Sequence, residues 1–532
     1  MRRSEDSAAR MWELEPRDAA ILAAILVATA LIYMPSIRNG WVYDDVPEIV
    51  NATELHSWAG VGQSFLHDVW WFRDPTSLPQ SSYYRPLQTA WFGLNYMLLG
   101  DHPTAWHLEK IALELVGVML TFRLAQLISG SNAVGLLTAA IFGLLPANVE
   151  SVVWASAIPE PLSTIFEMGA LCCLIQRKPG TGSGWSRGMM FALILYAGAL
   201  MSHETAILFW LIVAAYAFLI ERRRVGESIR LAAPFILLAI VYLCARLNVL
   251  GTEHFIGLPH LRDPNVVAGW AGPAATHGPI ELVLTAPVVL LVYLGVLIVP
   301  GIAAPAHDVQ WVTSADSGAF VAAGILAAVA AIAAAAIWRS ENRRLYLFCA
   351  AWSLLTIAPA MKLNALATLV EERLLYAPSV GWSLALALTV VNLGAVSPRW
   401  RAGVATAMGI LLAAYAVSIV RMEGDWHDDL TFYARCEELS PHDPTYVRTR
   451  VTLLNANGDL NSALNVLQEA VNRDPDNFYL HLRLADQYSK MQRGGDFVAE
   501  VAKARALRAK ARAAHSSPNN PVPLPAREGV RG

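Results

Sequence analysis

Long apolar blocks separated by short polar links run through most of the chain. They fall at 19–35, 107–126, 133–146, 161–176, 188–201, 206–220, 231–247, 320–338, 345–359, 375–393 and 403–420, with a further block at 281–300. At roughly 14 to 20 residues each, they approach the length that a helix needs to cross a hydrocarbon core of about 30 Å. A segment inside lipid must satisfy its own backbone hydrogen bonds, which only helices and closed barrels achieve. The pattern therefore predicts an all-α polytopic membrane protein. Four short links carry clustered basic residues: Arg177-Lys178 with Arg187, Arg222-Arg223-Arg224, Arg339 with Arg343-Arg344, and Arg399 with Arg401. Short basic loops stay on the cytoplasmic side. All four share that side only if 281–300 does not fully cross. About eleven transmembrane helices then place the N-terminal residues 1–18 inside and the C-terminus outside.

Two outer segments are too long to be connectors, at 36–106 and 248–280. Loops of more than about 15 residues in a compact domain are usually functional or disordered, and the first is too rich in Trp and Tyr for disorder. After the membrane body (19–421) the chain turns polar and helical over 425–513. Ser440-Pro441 recurs as Asp474-Pro475 after 34 residues, each followed by a helix-length pattern. That period and the Asn457-Gly458-Asp459 turn between two helical stretches predict tetratricopeptide-like helix pairs. Residues 514–532, rich in Ser, Pro and Asn, read as a disordered tail.

Composition agrees. The chain is 55% hydrophobic and 16% charged, where soluble domains carry about 25% charged residues. The formal net charge of −3, without any basic tract, gives no reason to expect a nucleic-acid partner. Five cysteines without a CxxC spacing predict neither a disulfide framework nor a zinc site. His254, His260 and His277 share no helical face, so no metal and no cofactor is expected. The first apolar block lacks a cleavage site and reads as an uncleaved span.

The chemistry-bearing residues gather on the predicted outer face. Trp41-Val42-Tyr43-Asp44-Asp45 follows the first span, and a turn there lets one carboxylate face a site while the other meets a backbone or cation partner. Arg85, before Pro86, is held extended, and a guanidinium among tyrosines suits a carboxylate or a phosphate. His203-Glu204 sits at a membrane edge, where ionisable groups are costly and default to functional candidates. Glu150, Glu160 and Glu371-Glu372-Arg373 reach the same side.

These stretches resemble the TMTC-type protein O-mannosyltransferases and their bacterial relatives, within the GT-C superfamily of polyprenyl-phosphate-sugar glycosyltransferases. The likeness rests on Val42-Tyr43-Asp44-Asp45, Tyr84-Arg85-Pro86-Leu87, Leu94-Asn95-Tyr96, His102-Pro103 with Trp106-His107, Val149-Glu150-Ser151-Val152 with Trp154, and the run from Arg373 to Gly381. The trailing repeats agree. The resemblance implies a GT-C-like bundle in an inner membrane, with its repeats outside. It also implies a lipid-linked sugar donor and a protein or glycan acceptor. Asp44 is then the general base, with Asp45 as second choice, and Arg373, His203 and Arg85 are the donor-phosphate groups. Glu150, Glu160, Glu204 and Glu372 are supporting acids, and the repeats are a surface for a protein partner. His203 stands where relatives usually carry Lys, and Ala157-Ile158-Pro159-Glu160 keeps an acid but lacks their Arg. A non-catalytic membrane scaffold bearing repeats is the alternative. A transporter is disfavoured because the chain shows no paired broken helices in two matching halves.

Overall fold

The computed structural model describes residues 14–73, 81–177, 186–255, 279–313, 317–361, 369–441 and 443–515. His260, His277, most of the first eighteen residues and the tail from 516 lie outside the described residues, as does the side chain of His254. The chain forms two units, one holding the membrane helices and one centred on 429–515. Among the described residues only helices, turns and irregular links occur.

The first unit is built from α1 (Pro16–Tyr33), α2 (Pro86–Leu99), α3 (Pro103–Ser129), α4 (Asn132–Gly143), α5 (Val149–Val153), α6 (Pro159–Ile175) and α7 (Arg187–Ser202). It continues with α8 (Val225–Phe255), α9 (Pro279–Ile298), α10 (Ser317–Arg339), α11 (Arg343–Ile357), α12 (Tyr376–Val396) and α13 (Pro398–Glu423). Among the described residues, seven helices are long and apolar enough to cross a membrane by length and composition, or eight if the bent pair Asn132–Gly143 and Pro146–Val153 is one span. Arg187–Ser202 and Glu204–Ile220 are shorter apolar helices. The block 281–300, set aside to satisfy the arginine distribution, forms α9, and Ile280–Ile298 has a mean hydropathy of 2.4 over its most apolar stretch. By length and composition it ranks with the spans.

Local chemistry fixes where the helices start. Proline opens α2, α3, α6 and α13, where its missing N–H costs nothing and its φ is already helical. The 57° bend between α4 and α5 falls at Leu144-Leu145-Pro146, since proline cannot continue the hydrogen-bond ladder of the helix before it. The bend turns Glu150 out of the axis of α4. In α6 the first turn carries Glu160, a placement that suits the positive end of the helix dipole.

Small residues let the spans approach closely. A Cβ built at Gly143 would lie 2.6 Å from Thr29 Oγ1 of α1, and one at Gly117 of α3 would lie 2.7 Å from the Tyr376 hydroxyl. Without a hydrophobic force between helices in lipid, such contacts carry much of the association.

In the second unit, Pro444–Ala456 with Leu460–Arg473, and Phe478–Lys490 with Gly494–His515, form two helix hairpins. Their opening residues keep the 34-residue offset. Gly458 adopts φ +78°, and the Asp459 carboxylate accepts the Ser462 N–H at 3.0 Å, so the Asn-Gly-Asp stretch is both stop and N-cap. Val447, Val451, Leu464, Leu467, Leu480, Leu484 and Tyr488 fill the core between hairpins.

At Gly381 of α12 an added Cβ would sit 2.5 Å from Ser353 Oγ and 2.6 Å from the Cys349 carbonyl oxygen, a backbone atom that cannot step aside. Gly381→Ala should therefore destabilise the protein by about 1–3 kcal/mol, the usual range for overpacking. Gly324→Ala, which meets nothing within 4 Å, should be neutral or slightly stabilising. Thermal unfolding of the two purified variants in detergent checks the contrast, and equal melting temperatures would refute it.

Candidate active site

The site lies wholly within the membrane unit, on segments that the helix ends bring together. Its first wall is the turn after α1. Tyr43 adopts φ +60°, a left-handed conformation uncommon for a residue with a side chain. The turn sends the two neighbouring carboxylates different ways. Asp45 points inward and is 1% exposed, while Asp44 stays half-buried at the rim. Asp45 Oδ2 accepts the Val42 N–H at 2.9 Å, and its Oδ1 accepts both the Ser156 N–H at 2.8 Å and the Ser156 hydroxyl at 2.6 Å. Burial pushes the Asp45 carboxyl up to about 7 against the pull of these bonds, with the Asp44 charge adding to the rise. The Asp45 carboxylate therefore ties the outer turn to the α5–α6 link.

The second wall is the α5–α6 link. Trp154 lies 5.2 Å from the Tyr43 ring and stacks 5.9 Å from Trp426. The Arg373 guanidinium sits over the same indole, 5.0 Å from its centre. Three carboxylates hold Arg373: Glu150 at 2.5 Å, Glu371 at 2.8 Å and Glu160 at 3.4 Å. Glu150 also accepts the Arg373 backbone N–H at 3.1 Å, so it fixes both ends of the residue. Glu160 continues to His203, whose Nε2 lies 3.5 Å away. His203 Nδ1 accepts the Thr205 N–H at 3.1 Å, which places the ring proton on Nε2, facing Glu160. Glu160 Oε2 is buried with no hydrogen-bond partner among the described residues.

A second ion pair adjoins the first. Arg85 Nε and Nη2 donate to the two Glu204 oxygens, each at 2.6 Å, in the bidentate geometry that guanidinium favours. Burial alone would lower Arg85, but Glu204, with help from Glu160 and Tyr83, holds it above its ordinary value. Its segment is secured from α8, where the Tyr242 hydroxyl donates to the Tyr84 carbonyl at 2.8 Å and Arg246 donates to the Ser82 carbonyl at 2.9 Å.

Several of the residues singled out in the sequence therefore meet. Arg373, Glu150, Glu160, His203, Arg85 and Glu204 form one connected group, with Arg373 over Trp154, and Asp44 adjoins it in sequence through Tyr43, whose ring faces Trp154. Asp45 lies under it. Glu372 turns away, 1% exposed, and accepts the Ala304 N–H at 2.7 Å, so Glu371 takes its place beside Arg373. Tyr43 and Trp154, motif residues to which the sequence assigned no role at the site, supply an aromatic wall. Glu48 was also missed. It is buried next to the turn, and burial with the charges of Asp44 and Asp45 pushes its carboxyl well above the ordinary range despite Arg85 and Arg73. Its position five residues after Tyr43 gave no signal, because the π-helical turn Val46–Val50 that buries it is not legible in spacing. Among the described residues, no group of three or more His, Cys, Asp or Glu is placed to hold a metal ion.

No family model matches the chain. It is similar to Protein O-mannosyl-transferase Tmtc3 of Drosophila melanogaster, 22% identical over 91% of this chain and 58% of the relative. Similarity to Protein O-mannosyl-transferase TMTC3 of Mus musculus is 25% identity over 37% of this chain and 21% of the relative. For TMTC1 of Homo sapiens it is 29% over 26% of this chain and 16% of the relative. The chain thus spans less than two thirds of the length of these relatives. Among solved structures it is similar to the apo crystal structure of the Archaeoglobus fulgidus oligosaccharyltransferase, with a TM-score of 0.41 and 14% identity, covering 81% of this chain and 59% of that one.

The raised Asp45 carboxyl has a thermodynamic signature. Between its ordinary value of 3.8 and about 7, the folded state binds the proton that the unfolded state has already lost. Stability from this group therefore falls as pH rises through that window. Asp45→Asn should flatten the fall. The variant should also be less stable at low pH by about 1–3 kcal/mol, because an amide N–H set toward the Val42 N–H leaves a buried donor unmet. Melting curves from pH 4 to 8 in detergent test this, and parallel curves for the two proteins would refute the assignment.

Proposed function

We propose that the chain is an inverting glycosyltransferase that moves mannose or another hexose from a polyprenyl-phosphate carrier to a protein Ser/Thr hydroxyl or a glycan acceptor. The reaction takes place on the extracytoplasmic face of a bacterial inner membrane, with the N-terminus cytoplasmic and the helix-hairpin repeats outside. The observation that carries this reading is the shared aromatic wall. Trp154 has Tyr43, the neighbour of Asp44, at 5.2 Å, and the Arg373 guanidinium at 5.0 Å. A cation and the aromatic neighbour of an acid thus border one surface of the kind on which a sugar ring stacks. The names of the curated relatives support the same chemistry.

In the reaction, the acceptor oxygen attacks the anomeric carbon from the face opposite the phosphate. The glycosidic C–O bond breaks, its electrons leave on the phosphate, and the hydroxyl proton passes to Asp44 as the new bond forms. Assistance of this kind is worth about 10²–10⁴ in rate. Arg373 meets the charge that develops on the leaving phosphate, as a preorganised donor. Glu371, which meets the Nη2 nitrogen of Arg373 at 2.8 Å, is the carboxylate that the phosphate displaces, while Glu150 keeps the guanidinium aimed. His203 offers its Nε2 proton nearby. Arg85, fully engaged by Glu204, holds the outer loop in place. The repeats offer the face to which a protein acceptor docks, as stacked hairpins do.

A second reading, a non-catalytic membrane scaffold, is favoured by one observation: both site arginines are already engaged by carboxylates. Purified protein in lipid, supplied with polyprenyl-phosphate mannose and a Ser/Thr peptide, separates the two. Asp44→Asn should lower donor turnover by about 10²–10⁴ while leaving donor binding intact, and Arg373→Gln should weaken binding of the donor. Turnover equal to wild type in Asp44→Asn refutes the base assignment. A folded wild type that consumes no donor transfers the weight to the scaffold.

A further inference from the structure

Lys110 stands in the middle of the membrane unit, on α3, and is 1% exposed. A lysine that far from water is retained only where it has partners. Four carboxylates surround it electrostatically: Glu109, Glu160, Asp45 and Glu114. The two on its own helix each give one oxygen to another partner. Glu109 accepts the Trp91 indole N–H at 3.0 Å, and Glu114 accepts the Tyr376 hydroxyl at 2.6 Å. The hydrogen bond that the Lys110 ammonium makes runs to a backbone oxygen, the carbonyl of Ala157.

Ala157 is the residue after Ser156, in an irregular link held by short-range backbone bonds. Ala157 N–H donates to the Trp154 carbonyl at 3.2 Å, and Ile158 N–H donates to the Ser156 carbonyl at 2.7 Å. Ser156 in turn holds Asp45 through both its N–H and its hydroxyl. A charged donor on a rigid span therefore grips the link one residue from the point where that link grips the outer turn. The line runs from Lys110 to Ala157, to Ser156, to Asp45, and ends beside Asp44. Trp154, on the same link, is fixed with it.

We propose that Lys110 is a positioning residue for the site. Its ammonium anchors the 154–160 link, and through Ser156 and Asp45 it sets where Asp44 and the Trp154 wall stand. It touches no reacting atom. The chemical part of this inference rests on the reading of Asp44 as the base, whereas the tether itself does not.

The test uses full-length protein in lipid, with two readouts. The first is hydrogen exchange of the backbone amides in 42–46 and 154–160, which needs no turnover. The second is steady-state kinetics with polyprenyl-phosphate mannose and a Ser/Thr peptide. Lys110→Met, which keeps the volume and removes the donor, should speed exchange in both segments by about tenfold, the effect of losing one charge-assisted hydrogen bond. It should lower kcat by about tenfold or more with KM for the donor little changed, since geometry rather than binding is lost. Ser156→Ala loosens the same line from its other end and should reproduce the faster exchange in 42–46 and the kcat loss. The double variant should be no slower than the slower single one, because serial elements of one tether do not add. Wild-type exchange in 42–46 for Lys110→Met overturns the proposal, as do multiplying kcat losses in the double variant. Should Lys110→Met fail to fold, wild-type exchange and kcat in Ser156→Ala overturn it equally. A wild type that consumes no donor sinks the base assignment, and exchange still decides on the tether.

Discussion

The cost of keeping ions at the edge of a membrane governs this architecture. Arg373 is held by Glu150, Glu160 and Glu371, and Arg85 by Glu204. Removing one partner from a buried pair leaves an uncompensated charge, a loss of about 3–5 kcal/mol. Each pair joins segments distant in sequence, so the requirement for mutual compensation dictates which helix ends meet. The bend between α4 and α5, the prolines that open α2 and α6, and the 3-10 turn at Glu372–Leu375 serve to deliver these charges to one another.

The same requirement gives the carboxylates structural work: Asp45 holds the link, Glu204 holds Arg85 and Glu372 accepts from Ala304. Adjacent residues with identical side chains, Asp44 and Asp45, differ in burial because the left-handed Tyr43 turns the backbone between Val42 and Asp44.

How much of this the sequence displays depends on the scale at which its signals act. Spans are legible because lipid imposes one rule on every residue in a block. The repeats are legible because a 34-residue period repeats its own turn chemistry. At the candidate site, residue types pointed to segments that the fold brings together, since a Glu or Arg at a membrane edge needs a partner. Choosing between neighbours was beyond that logic. Glu371 and Glu372 have the same composition and nearly the same position, and only the phase of a short 3-10 turn sends one to Arg373 and the other to Ala304. Glu48 and Lys110 escaped notice for a related reason: each looks like an ordinary polar interruption until tertiary packing covers it.

Tyr43 gives the turn a history as well as a shape. A glycine there would relax the backbone at once, because its φ of +60° costs a glycine almost nothing, but the ring against Trp154 would go with the exchange. Stability and use thus pull on this position in opposite directions, as they often do where a site is strained. A lineage that had stopped using the site would drift toward the relaxed residue, so position 43 is a place where disuse would first leave its mark.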